Sequence, residues 1–147
     1  MEHRRWIVVG TDFSPIAERA LERAAALASA LGASLACVHA YEDPLGTRFE
    51  SDPAPAIRAR LESAVARVRS RFPGMPLECI VRRGAPWEKL ANVASDLGAE
   101  IIVVGSRGGH APAGSSFLGR VVTRIASISN RAVLVVPSED AGASFAA

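Results

Sequence analysis

This sequence of 147 residues has no long hydrophobic run, two cysteines and nearly equal numbers of basic and acidic residues. No segment has the roughly 18 to 20 consecutive apolar residues that a membrane-spanning helix needs. The apolar run near the start is also too short for a signal peptide, so we expect a cytoplasmic protein with no membrane partner. The 17 basic and 15 acidic residues give a net charge of +2, which argues against a dedicated nucleic-acid binder.

Residues that carry enzymatic chemistry are few and scattered. Cys37 and Cys79 lie in apolar stretches and are interpreted as buried, reduced thiols. His39 follows Cys37 by two residues, and on one face of a strand a packed pair is favoured over two metal ligands. No two carboxylates are spaced for acid–base catalysis. We therefore expect no catalytic residues and no metal site.

Short apolar runs alternate with helical patterns along the chain. The predicted strands are 7–10, 35–40, 77–81, 101–104 and 133–136, with a helix between each pair. Ser14 and Pro15 are expected to begin the first helix and Gly32 to end it, while Asn130 is expected to end the fourth helix in the left-handed conformation. The order predicts one α/β domain over residues 1–137, with an open parallel sheet covered by helices on both faces. The polar, alanine-rich segment 138–147 is expected to be a disordered tail.

A glycine- and serine-rich segment, GSRGGHAPAGSSFLGR, runs from Gly105 to Arg120 after the fourth predicted strand. Glycine lets a backbone approach a phosphate closely, and a helix N-terminus favours negative charge. Ser115 stands where a P-loop carries lysine, so a P-loop NTPase is rejected. Two interpretations remain open from these residues alone. One is an anion site built from backbone N–H groups, serine hydroxyls and Arg107, and the other is a glycine loop that binds nothing.

Asp12 directly follows the first predicted strand. In open parallel sheets, ligands bind beyond the carboxyl ends of the strands. Because Ser14 is the better candidate to cap the following helix, Asp12 is left for another role, and a ligand-facing position is slightly favoured.

The chain from Arg5 to Pro137 resembles the universal stress protein family. The segments that carry the resemblance are VVGTDFSPIAERALERAAALA, VHAYEDP, RRGAPWEKLANVASDLGAEIIVVGSRG and NRAVLVVP. The resemblance implies a Rossmann-like fold with a five-stranded parallel sheet of order 3-2-1-4-5, and a homodimer. In that order Val133–Val136 is an exposed apolar edge strand, which we expect to pair with its copy.

The family has a branch that binds ATP and a branch that does not. The ATP-binding branch carries Gly-x2-Gly-x9-Gly followed by Ser or Thr. Here Gly105 and Gly108 match the first pair, ten residues instead of nine lead to Gly119, and Arg120 replaces the hydroxyl residue. Counting from Gly109 restores nine residues but breaks the first spacing.

The resemblance also implies which residues would contact the nucleotide. Asp12 and the backbones of Gly10 and Ala40 would hold adenine and ribose. The phosphates would be surrounded by Gly105, Gly108, Gly119, Arg120 and Val121, and Arg107, Gly109, Ser115 and Ser116 are further candidates in the same loop.

The predicted function is a stress-response regulator that binds ATP, ADP or AMP, with Mg²⁺ if a triphosphate is bound. Hydrolysis would be slow at most, because a phosphate-binding lysine and a cluster of metal-binding carboxylates are not evident. The alternative is a nucleotide-free stress protein that acts through contacts with a protein partner, with Arg120 closing the groove.

Overall fold

A computed structural model describes residues 4–42, 52–107 and 119–139. Strands and helices alternate throughout these ranges, as predicted. The strands are β1 (Trp6–Gly10), β2 (Ser34–Tyr41), β3 (Leu77–Arg83), β4 (Ile101–Gly105) and β5 (Ala132–Val136). The helices are α1 (Pro15–Leu31), α2 (Ala54–Arg71), α3 (Pro86–Leu97) and α4 (Arg120–Ile128).

All strand pairings in the sheet are parallel, and the strand order is β3-β2-β1-β4-β5. This order confirms the one that the family resemblance implies. Central strand β1 pairs with β2 on one side and with β4 on the other, so that Val9 lies opposite both Cys37 and Val103. Because helices cover both faces, Ile7, Val8 and Val9 are all fully buried.

The two faces of the sheet carry separate hydrophobic layers. On one face, Ile7 and Val9 pack with α1 and α2, where alanines such as Ala20 and Ala24 allow close approach of the helix. On the other face, Val8 packs with residues of α3 and α4. The prediction of helices on both faces is therefore confirmed.

The ends of the helices follow the predicted signals in all but one case. The Ser14 hydroxyl accepts a hydrogen bond from the Ala17 N–H at 3.2 Å, and Gly32 has a φ of 64° at the end of α1. The left-handed cap predicted at Asn130 is wrong. Ser129 is the C-cap residue and is extended, with a φ of −80°. Its hydroxyl accepts the Arg131 N–H at 3.0 Å, so a side chain closes this turn and no left-handed residue is needed.

Among the described residues, no helix is both long enough and apolar enough to cross a bilayer.

Candidate functional site

A cavity of about 410 Å³ opens at the carboxyl ends of β1, β2 and β4. The chain connects β1 to β2 on one side of the sheet, whereas β4 lies on the other side of β1. This divergence is the topological switch point, where open α/β sheets bind their ligands. The cavity is lined by Gly10, Thr11, Asp12, Ile16, Ala17, Val38, Ala40, Pro86, Leu90, Val104, Gly105, Arg107, Gly119, Arg120, Val121 and Val122.

The floor of the cavity is apolar and tightly packed. Leu90, Val104 and Val122 are buried there, and each comes from a different element. Gly10 lies directly beneath Leu90, because a Cβ atom on Gly10 would come within 2.6 Å of Leu90 Cδ1. A side chain at position 10 would therefore push Leu90 into the space that the cavity now provides.

The loop between β1 and α1 holds Asp12 at the cavity rim. The Thr11 N–H donates to the Val38 carbonyl at 2.9 Å, which prolongs the pairing of β1 with β2. Asp12 Oδ1 accepts the Ser14 N–H at 3.0 Å. These bonds fix the backbone of the loop and the direction in which the Asp12 side chain leaves it.

Phe13 adopts a left-handed conformation, with a φ of 65°, in this same loop. The centroid of the Phe13 ring lies 4.5 Å from that of the His39 ring. The guanidinium group of Arg60, which belongs to α2, lies 4.1 Å from the same Phe13 centroid. His39 Nδ1 is 2.8 Å from the Thr11 carbonyl oxygen, so this ring nitrogen donates a hydrogen bond to the loop. His39 is thus a support for the β1–α1 loop, in line with the packed interpretation favoured over metal ligation.

The glycine-rich segment is tied down at both ends. The Ser106 N–H donates to the Val136 carbonyl at 2.9 Å, and the Gly119 N–H donates to the Ser106 carbonyl at 2.6 Å. The start of the segment therefore lies beside the start of α4, whatever the length between them. Gly108, Gly109, Ser115 and Ser116 fall in the range 108–118, which lies outside the described residues.

The N-terminus of α4 faces the cavity without a cap or an acidic residue of its own. Its N-cap residue is Gly119, which has no side chain to accept a hydrogen bond, and the first turn contains no Asp or Glu. Arg120 begins the helix and lines the cavity together with Val121 and Arg107. Among the described residues that line the cavity, the charged side chains are those of Arg107, Arg120 and Asp12.

Eight of the predicted nucleotide-contacting residues come together around this cavity. They are Gly10, Asp12, Ala40, Gly105, Arg107, Gly119, Arg120 and Val121. That these residues contact a nucleotide stays a prediction. The apolar floor formed by Leu90, Val104 and Val122 was not predicted from the sequence. Each of these residues fits the pattern of buried apolar residues in its own element, and nothing in that pattern indicates a cavity.

The two cysteines lie away from the cavity as buried, free thiols at paired positions of β2 and β3. Burial is the main cause that raises the pKa of Cys79 to about 11, and the neighbouring Glu62 raises this pKa further. Burial and the nearby Cys79 also raise the pKa of Cys37. Within the described ranges, no group of three or more His, Cys, Asp or Glu side chains is placed to hold a metal ion.

The fold and the cavity define a doubly wound α/β protein with a ligand-sized cleft at its switch point. The model of the family described as "Universal stress protein family" matches residues 3–137. A relative from Thermus aquaticus, "Universal stress protein in QAH/OAS sulfhydrylase 3'region", is 37% identical over 137 residues, which cover 88% of this chain and 96% of the relative. The chain belongs to the universal stress protein family.

Solved structures of similar proteins support the same assignment. A universal stress protein in complex with cAMP is 30% identical, with a TM-score of 0.71, over 92% of this chain and 98% of that one. The universal stress protein from Archaeoglobus fulgidus in complex with dAMP is 25% identical, with a TM-score of 0.68, over 92% of this chain and 99% of that one.

Proposed function

We propose that this protein binds an adenine nucleotide in the cavity at the carboxyl ends of β1 and β4. The observation that carries the proposal is that one cavity brings together Asp12, the first turn of α4 and both ends of the glycine-rich segment. A carboxylate can accept hydrogen bonds from ribose hydroxyls, and a helix N-terminus with flanking arginines favours a phosphate group. The apolar floor suits a flat purine ring.

Two features of the cavity support this function over the nucleotide-free alternative. The cavity keeps a volume of about 410 Å³ although Arg120 belongs to its lining, so Arg120 does not fill it. The Gly119–Ser106 hydrogen bond fixes the start of α4, and a loop of one extra residue can be closed between these fixed ends at little entropic cost. The complexes of relatives with cAMP and dAMP point to the same ligand class.

The proposed role of the bound nucleotide is regulatory. ATP, ADP or AMP would occupy the cavity, with Mg²⁺ accompanying a triphosphate, and occupancy would alter the surface that a partner meets. Hydrolysis is expected to be slow at most, because the single lysine of the chain, Lys89, belongs to α3 and the glycine-rich segment contains none. The protein would act in the cytoplasm as a homodimer paired through β5.

Mass spectrometry of small molecules released from the purified, denatured protein tests the proposal directly. We expect adenine nucleotide at close to one equivalent per chain, or, for protein that has lost its ligand, a thermal shift when AMP or ATP is added. An empty extract together with no thermal shift would contradict the proposal and favour the nucleotide-free alternative.

Gly10→Ala gives a matched variant for the same experiment. The new methyl group displaces Leu90 into the cavity, so we expect less bound nucleotide and a weaker thermal shift. Gly74→Ala is the control, because no atom lies within 4 Å of the Cβ position there and Gly74 is far from the cavity. Equal nucleotide binding by both variants would mean that the ligand does not occupy this cavity.

A further inference from the structure

The stretch from Ile101 to Ser138 is one-sided in charge. Between Ile101 and Ser138 the sequence contains four arginines and neither Asp nor Glu. This stretch includes β4, the whole glycine-rich segment, α4 and β5. The two described parts of this stretch that line the cavity, the end of β4 with Arg107 and the start of α4 with Arg120, therefore contribute only positively charged side chains.

Two of these four arginines make their contacts outside the cavity. The Arg124 guanidinium lies 5.2 Å from the centroid of the Trp87 ring, and Arg131 Nη1 donates to the Ala99 carbonyl at 2.8 Å. The other two, Arg107 and Arg120, line the cavity. Arg107 Nη2 also donates to Ser138 Oγ at 3.3 Å, which links its guanidinium to the segment after β5.

Arg120 occupies an electrostatically unfavourable position. The N-terminus of a helix carries a partial positive charge, and a cation in the first turn costs roughly 0.3–1 kcal/mol. Neither a side-chain cap from Gly119 nor an acidic residue in the first turn of α4 offsets this cost. No carboxylate of the described chain lies within 4 Å of the Arg120 guanidinium. A local conflict of this kind is typical of a functional site, and an anion bound in the cavity would remove it.

The positive charge that Arg107 and Arg120 bring to the cavity suits a ligand with a single phosphate group. A phosphate monoester carries roughly 1.5 to 2 negative charges at pH 7. A guanidinium group carries the opposite charge and can bind two phosphate oxygens at once, and both Arg107 and Arg120 line the cavity. A triphosphate carries more charge and is normally bound with Mg²⁺, which proteins hold through one or two carboxylates and the phosphates themselves.

The described lining of the cavity offers a metal ion a single carboxylate. Asp12 is the one carboxylate of the described lining, and it lies on the β1–α1 loop, where it accepts the Ser14 N–H. Arg107 and Arg120 line the same cavity, where their positive charge would repel a divalent cation.

We propose that this cavity prefers adenine nucleotides with a single monoester phosphate group, and binds them without a divalent metal because Arg107 and Arg120 contact the phosphate and offset its charge. The inference rests on the proposed function and narrows its ligand to a class. Arg120 is then a specificity-determining residue.

Isothermal titration calorimetry on the intact protein, with AMP, adenosine and ATP in EDTA and again in MgCl₂, tests the inference. We expect AMP to bind with the same Kd in both buffers to within roughly twofold, and more tightly than adenosine or ATP–Mg²⁺. Arg120→Ser should weaken AMP roughly tenfold and leave adenosine unchanged, because a neutral hydrogen bond from the serine hydroxyl is weaker than the charge-assisted contact that it replaces. Arg124→Ser, which removes an arginine one turn further along α4, is the matched control and should leave both affinities unchanged.

The possible failures can be told apart. Binding of AMP that requires MgCl₂, tighter binding of ATP–Mg²⁺ than of AMP, or unchanged AMP affinity in Arg120→Ser would overturn the inference while the proposed function stands. No binding of adenosine or of any nucleotide would overturn both. Misfolding does not confuse the result, because Arg120→Ser removes a cation from a helix N-terminus at an exposed position and is expected to keep or raise the melting temperature.

Discussion

The left-handed backbone of Phe13 is the least ordinary residue conformation in the described chain. For a residue with a Cβ atom this conformation costs roughly 1–2 kcal/mol. The loop holds it with the hydrogen bond from the Phe13 N–H to Thr11 Oγ1 at 3.0 Å, and with the rings of Phe13 and His39 in contact. The strained residue directly follows Asp12, which lines the cavity, and strained residues of this kind often lie at functional sites.

Replacement of Phe13 by glycine and by alanine separates strain from packing. Both variants lose the ring, but glycine tolerates positive φ, so Phe13→Gly should be the more stable of the two by roughly 1 kcal/mol. Urea denaturation measures the difference. At Phe72, where φ is −127°, the order should return to alanine being at least as stable as glycine. The same order at both positions would show that Phe13 carries no strain.

The paired thiols Cys37 and Cys79 make stability depend on pH in the alkaline range. Both pKa values are raised in the folded protein, and that of Cys79 is raised to about 11, whereas an unfolded cysteine titrates near ~8.5. Above the unfolded pKa the unfolded chain loses protons that the folded chain keeps. The free energy of unfolding should therefore fall as the pH rises from ~8.5 towards ~11, by roughly 3 kcal/mol from Cys79.

Denaturation curves of the parent and of Cys79→Ala over this pH range check the prediction. The variant should be less stable at neutral pH because its core is less well filled, but its stability should fall less steeply with pH. Parallel pH profiles for the two proteins would contradict the assignment of the effect to the thiols.

At the scale of elements, the order of strands and helices was predictable because each signal is local. Ser14-Pro15 begins α1, where the Ser14 hydroxyl caps the helix. Gly32 ends α1 in the left-handed conformation, which a residue without a Cβ atom adopts easily. The strands are longer by one or two residues than predicted, because β-pairing continues into polar residues such as Arg82 and Arg83 at the edge of the sheet. The prediction at Asn130 was wrong because the Ser129 hydroxyl accepts the Arg131 N–H and closes the turn that Asn130 was expected to close.

The N-terminus of α4 should show a trade between stability and ligand affinity. Gly119→Asp places a carboxylate where it can accept a first-turn N–H and offset the helix dipole, so the ligand-free protein should gain roughly 0.5–1 kcal/mol. The same carboxylate would occupy the anion position and repel a phosphate. We therefore expect a higher melting temperature and weaker AMP binding.

Ala85→Ser provides the comparison for this helix variant. Ala85 is the N-cap residue of α3 and its side chain makes no capping bond, so a hydroxyl there should also raise stability without adding charge. AMP affinity should be unaffected. If Gly119→Asp bound AMP as tightly as Ala85→Ser, the phosphate would not lie at the start of α4.

At the scale of the whole molecule, the two edges of the sheet differ in character. The edge strand β3 ends in Arg82 and Arg83, and Arg58 donates to the Cys79 carbonyl at 3.1 Å along this edge. The other edge strand, β5, is apolar throughout, and Leu134 is 40% exposed. Charged residues discourage pairing between sheet edges, whereas an apolar edge promotes it. The predicted homodimer should therefore form through β5.

Leu134→Lys tests this interface. A lysine at an exposed position of β5 should separate the dimer into monomers in sedimentation velocity, with little change in the core of each chain. Glu78→Lys makes the same kind of change on β3 and should leave the dimer intact. A dimer that persists in Leu134→Lys would place the contact elsewhere.

The candidate site could be predicted only in part from the sequence, because its residues come from different elements that meet only in the folded molecule. Asp12 and the Gly105–Arg120 segment stand out through their local composition, but nothing local links them to Leu90 or Val38. The sheet order brings these residues to one edge, and the size of the cavity depends on packing contacts between β1 and α3 that leave no pattern in the chain.

A crystal structure of the protein grown with AMP in the absence of divalent metal tests the central claim most directly. The predicted result is one nucleotide per chain, with its ribose beside Asp12 and its phosphate at the first turn of α4, in contact with Arg107 and Arg120. A cavity that stays empty at saturating AMP, or a nucleotide bound outside it, would contradict the account.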